Sequence, residues 1–398
     1  MAPVSDLITI DEARRRVLTA VTRLGDEPVA LREALGRVLS EDLSSPLPVP
    51  PFDSSAMDGF AVVAGPATEL SVVGEARAGH PYGGAVEAGQ AVRISTGAVL
   101  PEGADAVVPV ERTTAVKEAV SVPSAEPGEN VRRAGEDIPL NAVVLQAGTQ
   151  LGPAELGVAA SVGRAELRCA SKPRVAVLVT GDELTEPGAA LAPGGIYSSN
   201  AYALSAQVER AGGEVIEPIT VPDDRGGTRA ALEQALDSAD VVVVSGGVSV
   251  GPHDHVKPAL RDLGVEERFW GVRLRPGKPT WFGVRGETLA FGLPGNPVSA
   301  MVTFQLFARP ALAALQGAAP DARRVTARLE SPIPRNPQRE QAIRVNLLQS
   351  QDGLDAAPTK GAQGSHVLTS MIGADGLALI APGEGDARAG DRVEVELL

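Results

Sequence analysis

The stretch that decides the fold is DVVVVSGGVSVG, at residues 240–251. Its four consecutive valines are typical of a strand that is buried on both faces of a parallel sheet. The glycines and serines that follow allow a tight turn whose backbone N–H groups can face an anion. The stretch therefore predicts a buried strand and a turn. It leaves open whether the turn binds phosphate or only connects a strand to a helix.

The same alternation of strand and helix continues on both sides of this stretch. Apolar runs of strand character alternate with segments whose apolar residues recur at helical spacing, as in RVAVLVTG (174–181) and SSNAYALSAQVERAGG (198–213). Such alternation predicts a doubly wound α/β domain with a parallel sheet, over residues 172–320.

The flanking regions have different patterns. Residues 9–24, 28–40 and 153–162 have helical spacing, whereas residues 58–145 and the region after 325 contain short alternating strands with Gly and Pro turns. We therefore predict an α/β multidomain chain. Its parts are a discontinuous helical N-terminal domain (1–45 and 146–171), an inserted β module (46–145), the α/β domain (172–320) and a small C-terminal β-barrel domain (321–398).

Composition excludes several classes of function. The formal net charge is −14 and we find no extended Lys/Arg run, which argues against binding nucleic acid or an anionic membrane. The single cysteine, Cys169, excludes an intramolecular disulfide and a C-x-x-C site. We find neither a signal-peptide pattern nor a run of about 18 apolar residues. We therefore expect a cytoplasmic protein.

Carboxylates follow the buried strands of the predicted α/β domain. Glu183, Asp224 and Asp254 each come after such a strand. Ligands of open α/β sheets bind beyond the carboxyl ends of the strands, so these acids could together ligate Mg²⁺. Each could instead cap a helix, a role that we assign to Asp223.

Two polar segments lie outside this domain, FDSSAMDGF (52–60) and RRAGED (132–137). From their composition alone they are solvated loops.

Taken together, these segments resemble the molybdopterin molybdenumtransferase (MoeA) family, which also supplies the C-terminal domain of gephyrin. The resemblance is carried by nine motifs in family order: SSAMDGFAV, RISTGAVLPEGADAVVPVE, NVRRAGEDI, VAVLVTGDEL, IYSSNAYAL, DVVVVSGGVSVG, RPGKP, FGLPGNPVSA and QGSHVLTSM. It implies an elongated homodimer, with the cleft formed by the α/β domain of one subunit and the β module of its partner. The expected reaction inserts molybdate into adenylylated molybdopterin and releases AMP, with Mg²⁺ or another divalent cation.

The resemblance also implies roles for individual residues. The implied catalytic residues are Asp58, Asp137, Glu183, Asp224, Asp254, Arg275 and Lys278, with Glu183, Asp224 and Asp254 as metal ligands. The residues implied to bind the pterin or its phosphate are Thr96, Ser245, Gly246, Gly247, Ser249, Pro294 and Pro297.

Some positions depart from the family pattern. Gly271 stands where relatives often carry Lys, Phe60 replaces a common Tyr, Arg275 stands for a Lys, and His255 also differs. Because acidic residues would repel molybdate and the adenylate, we expect the metal to bind before or with the substrate. Two alternative functions stay open: the chain could be a molybdopterin adenylyltransferase, or a gephyrin-like scaffold that binds another protein. If the chain is the insertion enzyme, a separate molybdopterin adenylyltransferase could be its partner.

Overall fold

The computed structural model describes residues 7–221, 223–248, 254–351 and 353–398, which form two compact units. The β unit comprises Pro28–Leu35 and Glu41–Arg168. The α/β unit comprises the chain up to Glu27, together with Gly36–Ser40 and Cys169–Leu398. The four predicted domains divide the chain more finely than these two units, and their boundaries stay a proposal.

The chain up to Ala170 consists mostly of short strands. Its elements are α1 (Ile10–Thr19), β1 (Asp26–Ala30), β2 (Leu43–Ser44), β3 (Ser54–Ser55), β4 (Gly59–Val62), β5 (Thr68–Ala76), β6 (Gln90–Ile94), β7 (Ala106–Pro109), β8 (Thr114–Val116), β9 (Ala119–Val122), β10 (Val131–Arg132), β11 (Val143–Leu145), α2 (Pro153–Ser161) and β12 (Glu166–Ala170).

The centre of the β unit is a six-stranded sheet in the order β7-β4-β6-β5-β9-β8. Its pairs are antiparallel, except that β5 and β6 run parallel. Residues of β4 alternate between two apolar clusters, with Phe60 and Val62 in one and Ala61 in the other. The sheet is therefore buried on both faces at its centre, whereas alternating strands predict one buried and one exposed face.

The helix predicted over residues 28–40 is wrong. Residues up to Ala30 belong to β1, and only Leu31–Glu33 form a short 3₁₀ turn. Gly36 has a φ of 77°, which a continuing right-handed helix does not permit. Leu35 is 63% exposed, so the apolar spacing does not mark a buried helical face.

The α/β unit contains the remaining elements. They are β13 (Arg174–Thr180), β14 (Leu184–Thr185), β15 (Ile196–Tyr197), α3 (Ser199–Arg210), β16 (Glu214–Val221), α4 (Arg225–Ser238), β17 (Val241–Ser245), α5 (Val256–Asp262), β18 (Glu266–Trp270), β19 (Leu274–Arg275), β20 (Trp281–Arg285), β21 (Thr288–Leu293), α6 (Pro297–Thr303), α7 (Arg309–Leu315), β22 (Arg324–Leu329), β23 (Ile333–Pro334), β24 (Glu340–Ser350), β25 (Gly353–Pro358), β26 (Gly376–Ile380), β27 (Asp386–Ala387) and β28 (Arg392–Leu397).

The main sheet of this unit has the order β16-β13-β17-β21-β20-β18. The first four strands are parallel, whereas β20 and β18 are antiparallel to their neighbours. Val241 and Val243 pack with α1, α3, α6 and α7 on one face, and Val242 and Val244 pack with α4 and α5 on the other. The valine run is thus buried on both faces, which confirms the doubly wound domain.

The C-terminal strands close into a small barrel, as predicted. β24 pairs with both β25 and β26, and β22 and β28 complete the ring. Its interior contains small and aliphatic side chains such as Val345, Ala356 and Val395. β19 extends the barrel sheet by pairing in parallel with β24, so that Arg275 lies opposite Gln341.

Among the described residues, one helical segment, Pro297–Leu315, has the length and apolar composition of a membrane span. It consists of α6, a π-helical turn at Phe304–Ala308, and α7. Buried residues make up 78% of its most apolar window, and the segment packs in the core of the α/β unit. We therefore assign it to the protein core.

A buried ion pair joins the ends of the chain within the α/β unit. The carboxylate of Glu396, which is 0% exposed, accepts a hydrogen bond from the Arg14 guanidinium. Arg14 also donates to the carbonyl oxygen of Leu306 at 2.9 Å, so α1, the π-helical turn and β28 meet there. Removing one partner leaves the other charge buried and uncompensated.

We expect Glu396→Ala to lower the free energy of unfolding by about 3–5 kcal/mol, as measured by urea denaturation. Glu394 on the same strand is exposed, so Glu394→Ala is the matched control and is expected to change stability by less than about 1 kcal/mol. Equal losses in the two variants would contradict a stabilising role of the buried pair.

Candidate active site

A cavity of about 620 Å³ lies at the carboxyl ends of β13, β17 and β21. The next two strands of the main sheet, β16 and β17, pair with opposite edges of β13. The cavity therefore lies at a topological switch point of the sheet. Its lining includes Glu183, the first turn of α3, the loop that begins at Ser245, and Pro294 and Pro297. Residues that follow the carboxyl ends of these strands therefore line a concave site.

The glycine loop, Ser245–Val248, forms one wall of this cavity. Gly246 has a φ of 99°, and a Cβ at this position would lie 2.6 Å from Thr180 Oγ1 and 2.9 Å from the Thr180 carbonyl oxygen. Gly247 has a φ of 65°, and its N–H donates to no acceptor within the described residues. The positive φ values at both positions therefore favour glycine. The N–H of Gly247 is available to a ligand.

Ser245, at the start of this loop, is buried, and its hydroxyl makes two hydrogen bonds. The Oγ atom accepts from Asn200 Nδ2 at 2.9 Å and donates to the carbonyl oxygen of Pro294 at 3.2 Å. Asn200 Nδ2 also donates to the Gly295 carbonyl oxygen at 2.7 Å. The hydroxyl thus holds three cavity-lining segments together.

Asn200 is a site residue that the sequence reasoning missed. It lines the cavity from the first turn of α3. The SSN sequence at the start of that helix was a usable signal, because polar residues there lie next to the strand ends.

The three predicted metal ligands are not equivalent. Glu183 lines the cavity, whereas Asp224 caps α4 by accepting from Gly227 N–H at 2.8 Å. The helix cap predicted at Asp223 is therefore wrong, because the next residue occupies that position. Burial lowers the pKa of the Lys257 ammonium, and the negative charge of Asp254 offsets part of this decrease.

Within the described ranges, no three His, Cys, Asp or Glu side chains are close enough to hold a metal ion. Ser249, which the resemblance implies to bind the pterin or its phosphate, lies outside the described residues.

The RPGKP turn lies between this cavity and a second one. Pro279 lines the first cavity, whereas Arg275 and Pro276 line a cavity of about 310 Å³ beside the barrel. Arg344 also lines the second cavity and is 0% exposed; burial lowers its pKa to about 10. Lys278 is half-buried and lines neither cavity.

Arg344 was missed because nothing marks an arginine within an apolar strand pattern as buried. Neither Arg275 nor Arg344 pairs with a carboxylate among the described residues.

The β unit brings together two of the predicted residues. One carboxylate oxygen of Asp58 accepts from the Thr96 N–H at 2.7 Å and from its hydroxyl at 3.1 Å. These hydrogen bonds lower the pKa of Asp58, and the bond from the backbone N–H has the larger effect. Asp58 is therefore an ionised, oriented carboxylate at neutral pH. Asp137 is exposed, and its N–H donates to the carbonyl oxygen of Val49.

The two polar segments of the β unit contact each other. Asp53 accepts from the Ala134 N–H at 2.8 Å and from Arg133 at 2.6 Å, while β3 pairs with β10. Both kinds of contact tie residues 52–60 to residues 132–137. The segments are therefore partners as well as surface loops.

Two of the departures from the family pattern have a local explanation. Gly271 has a φ of 95°, and a Cβ there would lie 2.5 Å from Leu7 Cδ2, so a larger residue would need a shift of the backbone or of Leu7. Phe60 is 1% exposed, with the Arg93 guanidinium 5.3 Å from its ring centroid. A tyrosine hydroxyl at position 60 would need a buried partner. His255 occupies the N-cap position of α5 without a side-chain capping bond.

Three family descriptions match consecutive parts of the chain. They are the MoeA N-terminal region (domain I and II) at residues 8–163, the probable molybdopterin binding domain at 176–314, and the MoeA C-terminal region (domain IV) at 326–398.

Relatives match over nearly the whole length. The molybdopterin molybdenumtransferase of Haemophilus influenzae is 37% identical over 98% of this chain and 98% of that protein. That of Bacillus subtilis is 35% identical over 98% of this chain and 94% of that protein. The crystal structure of the molybdopterin biosynthesis moeA protein from Pyrococcus horikoshii OT3 has a TM-score of 0.83 and 30% identity, over 99% of this chain and 100% of that one. With its motifs in family order and its glycine-lined cavity at the switch point, this chain belongs to the molybdopterin molybdenumtransferase family.

Proposed function

We propose that this chain is a transferase that inserts molybdate into adenylylated molybdopterin and releases AMP. The observation that carries the proposal is the cavity where the glycine loop, Glu183 and the first turn of α3 meet. Its volume of about 620 Å³ lies within the usual range for a small-molecule site. The names of the full-length relatives support the same function.

The glycine loop is suited to the phosphate of the adenylate. Gly247 lines the cavity with an N–H that makes no hydrogen bond within the described part of the chain. Backbone N–H groups in such turns bind anions without placing a side chain in the way. In the proposed site this loop holds the phosphate, and the buried hydroxyl of Ser245 keeps the surrounding segments in place.

The second cavity is suited to molybdate. Arg275 and Arg344 line it, and a guanidinium can bind an oxyanion through two parallel hydrogen bonds. Because Arg344 is buried and pairs with no carboxylate in the described part of the chain, its charge favours an anion more strongly than an exposed charge would. The RPGKP turn lines both cavities, so in this proposal it brings the oxyanion towards the pterin, with Lys278 adding positive charge.

The divalent cation of the proposed reaction is Mg²⁺, arriving with the substrate. Mg²⁺ usually binds through one or two carboxylates, substrate phosphates and water, a requirement that Glu183 in the cavity fits. Among the residues that the structure describes, Asp224 and Asp254 do not form a three-carboxylate site with Glu183. When bound, the ion would offset the negative charge that carboxylates and phosphate bring together.

We expect the substrate-free protein to bind Mg²⁺ with a dissociation constant no tighter than about 1 mM, because it would contribute few ligands of its own. Isothermal titration of Mg²⁺ into the free protein measures this constant. We expect chelation to stop AMP release and excess Mg²⁺ to restore it. Micromolar binding to the free protein would show that a complete metal site forms without substrate.

The test of the proposed function is AMP release from adenylylated molybdopterin, with Mg²⁺ and molybdate each added or withheld. The proposal requires release that depends on both. Consumption of ATP with free molybdopterin would instead indicate an adenylyltransferase. A folded protein that does neither would favour the scaffold function, and a stoichiometric protein partner would support it.

The remaining proposals concern assembly and location. They are a homodimer, transfer of substrate from a molybdopterin adenylyltransferase, and a cytoplasmic location. Light scattering at several protein concentrations tests the dimer directly. Asp137, Asp224 and Asp254 keep their proposed catalytic roles, which alanine substitutions in the same AMP-release assay would test.

A further inference from the structure

The indole of Trp270 is hydrogen-bonded to the glycine loop. Its Nε1–H donates to the carbonyl oxygen of Val248 at 3.1 Å. Trp270 ends β18, at the edge of the main sheet, and does not line the first cavity. The bond thus connects the cavity wall to a strand that lies behind it.

A cation covers the ring of the same tryptophan. Lys257 Nζ lies 3.8 Å from the centroid of Trp270, within the range of a cation–π interaction. Lys257 is in α5, next to Val256, against which Gly247 packs so closely that a Cβ would lie 2.5 Å from Val256 Cγ2. The loop, the first turn of α5 and the indole therefore contact one another.

The loop needs such external contacts. Two consecutive glycines lose more conformational freedom on ordering than other residues, so the loop has little intrinsic preference for its observed shape. Gly246 N–H is bonded to the carbonyl oxygen of Leu293 at 3.1 Å, which holds the start of the loop. The Trp270 bond holds its other end, at Val248.

We infer that Trp270, supported by Lys257, is a positioning residue that keeps Gly246 and Gly247 in the conformation that binds the substrate phosphate. This inference rests on the proposed function. Trp270 itself does not touch the substrate, so its contribution is to affinity through the loop.

The first experiment compares AMP binding by equilibrium dialysis in Trp270→Phe and the wild type. Phenylalanine keeps an aromatic ring for Lys257 but removes the N–H, and loss of one hydrogen bond predicts roughly five-fold weaker binding. Trp281→Phe is the matched control, because its indole donates to Glu267 instead of the loop. Unchanged AMP affinity in Trp270→Phe, or equal weakening in both variants, would overturn the inference.

The second experiment does not depend on how Trp270→Phe folds. The chain contains two tryptophans, so Trp281→Phe leaves Trp270 as the sole indole reporter. We expect AMP to change its fluorescence. We expect Lys257→Met in this background to alter the emission while weakening AMP binding by less than the roughly five-fold expected for loss of the indole hydrogen bond. Emission that does not respond to saturating AMP would contradict the coupling between indole and loop.

These outcomes separate the inference from the proposed function. If the wild type binds and releases AMP while Trp270→Phe behaves identically, only the positioning role fails. If the wild type neither binds AMP nor releases it from the adenylylated substrate, both fail.

Discussion

Replacing Gly246 with alanine is expected to lower the rate of AMP release from adenylylated molybdopterin by at least about 100-fold, because displacing a binding group by about 1 Å can have that effect. The φ of Gly246 is 99°, a conformation that L-residues rarely adopt. The added methyl group would lie 2.6 Å from Thr180 Oγ1 and 2.9 Å from the Thr180 carbonyl oxygen. The loop must therefore move, since the contacted carbonyl belongs to β13, which is held by a neighbouring strand on each side.

Gly286→Ala is the matched control for this prediction. Gly286 lies between β20 and β21 and also has a positive φ, of 60°, but an added Cβ would have no atom within 4 Å. The control shares the backbone strain, about 1 kcal/mol, without the clash or the cavity. We expect its AMP release to equal that of the wild type. Nearly full activity in Gly246→Ala, measured on folded protein, would show that the loop does not hold the substrate.

Replacing Asp58 with alanine is expected to lower AMP release by about 100-fold, the lower end of the range for removing one oriented electrostatic group from an active site. Asp58 is exposed, yet its carboxylate is oriented by two hydrogen bonds from Thr96 and has a lowered pKa. An exposed carboxylate fixed in this way is suited to a ligand or metal. Its loss removes that group without disturbing the core of the β unit.

Asp42→Ala tests whether this effect is specific to Asp58. Asp42 is likewise exposed in the β unit and accepts a backbone hydrogen bond, from Ala147 N–H at 2.8 Å. We expect AMP release by this variant to stay within about two-fold of the wild type, as for most surface substitutions.

Thr96→Val should give a loss of AMP release between those of Asp42→Ala and Asp58→Ala, because the backbone N–H that donates to Asp58 remains. Wild-type rates in Asp58→Ala would remove this residue from the proposed mechanism.

Much of the α/β domain could be predicted because its signals are local. The four valines of β17 must be buried on both faces, and the glycines after them accept backbone angles that other residues disfavour. Local patterns were less reliable where burial was not certain. Over residues 28–40 the apolar spacing is helical, but Leu35 is exposed and Gly36 has a positive φ.

The sequence by itself determined the doubly wound sheet, the barrel strands and the glycine turn, because each depends on the periodicity or backbone freedom of a few neighbouring residues. The tertiary structure decided which side chains meet. The Asn200–Ser245 bond joins residues 45 positions apart, and Arg133–Asp53 joins residues 80 positions apart. It also buried Arg344 and brought Trp270 to the loop. Such contacts arise only when distant segments pack together, so no local pattern encodes them.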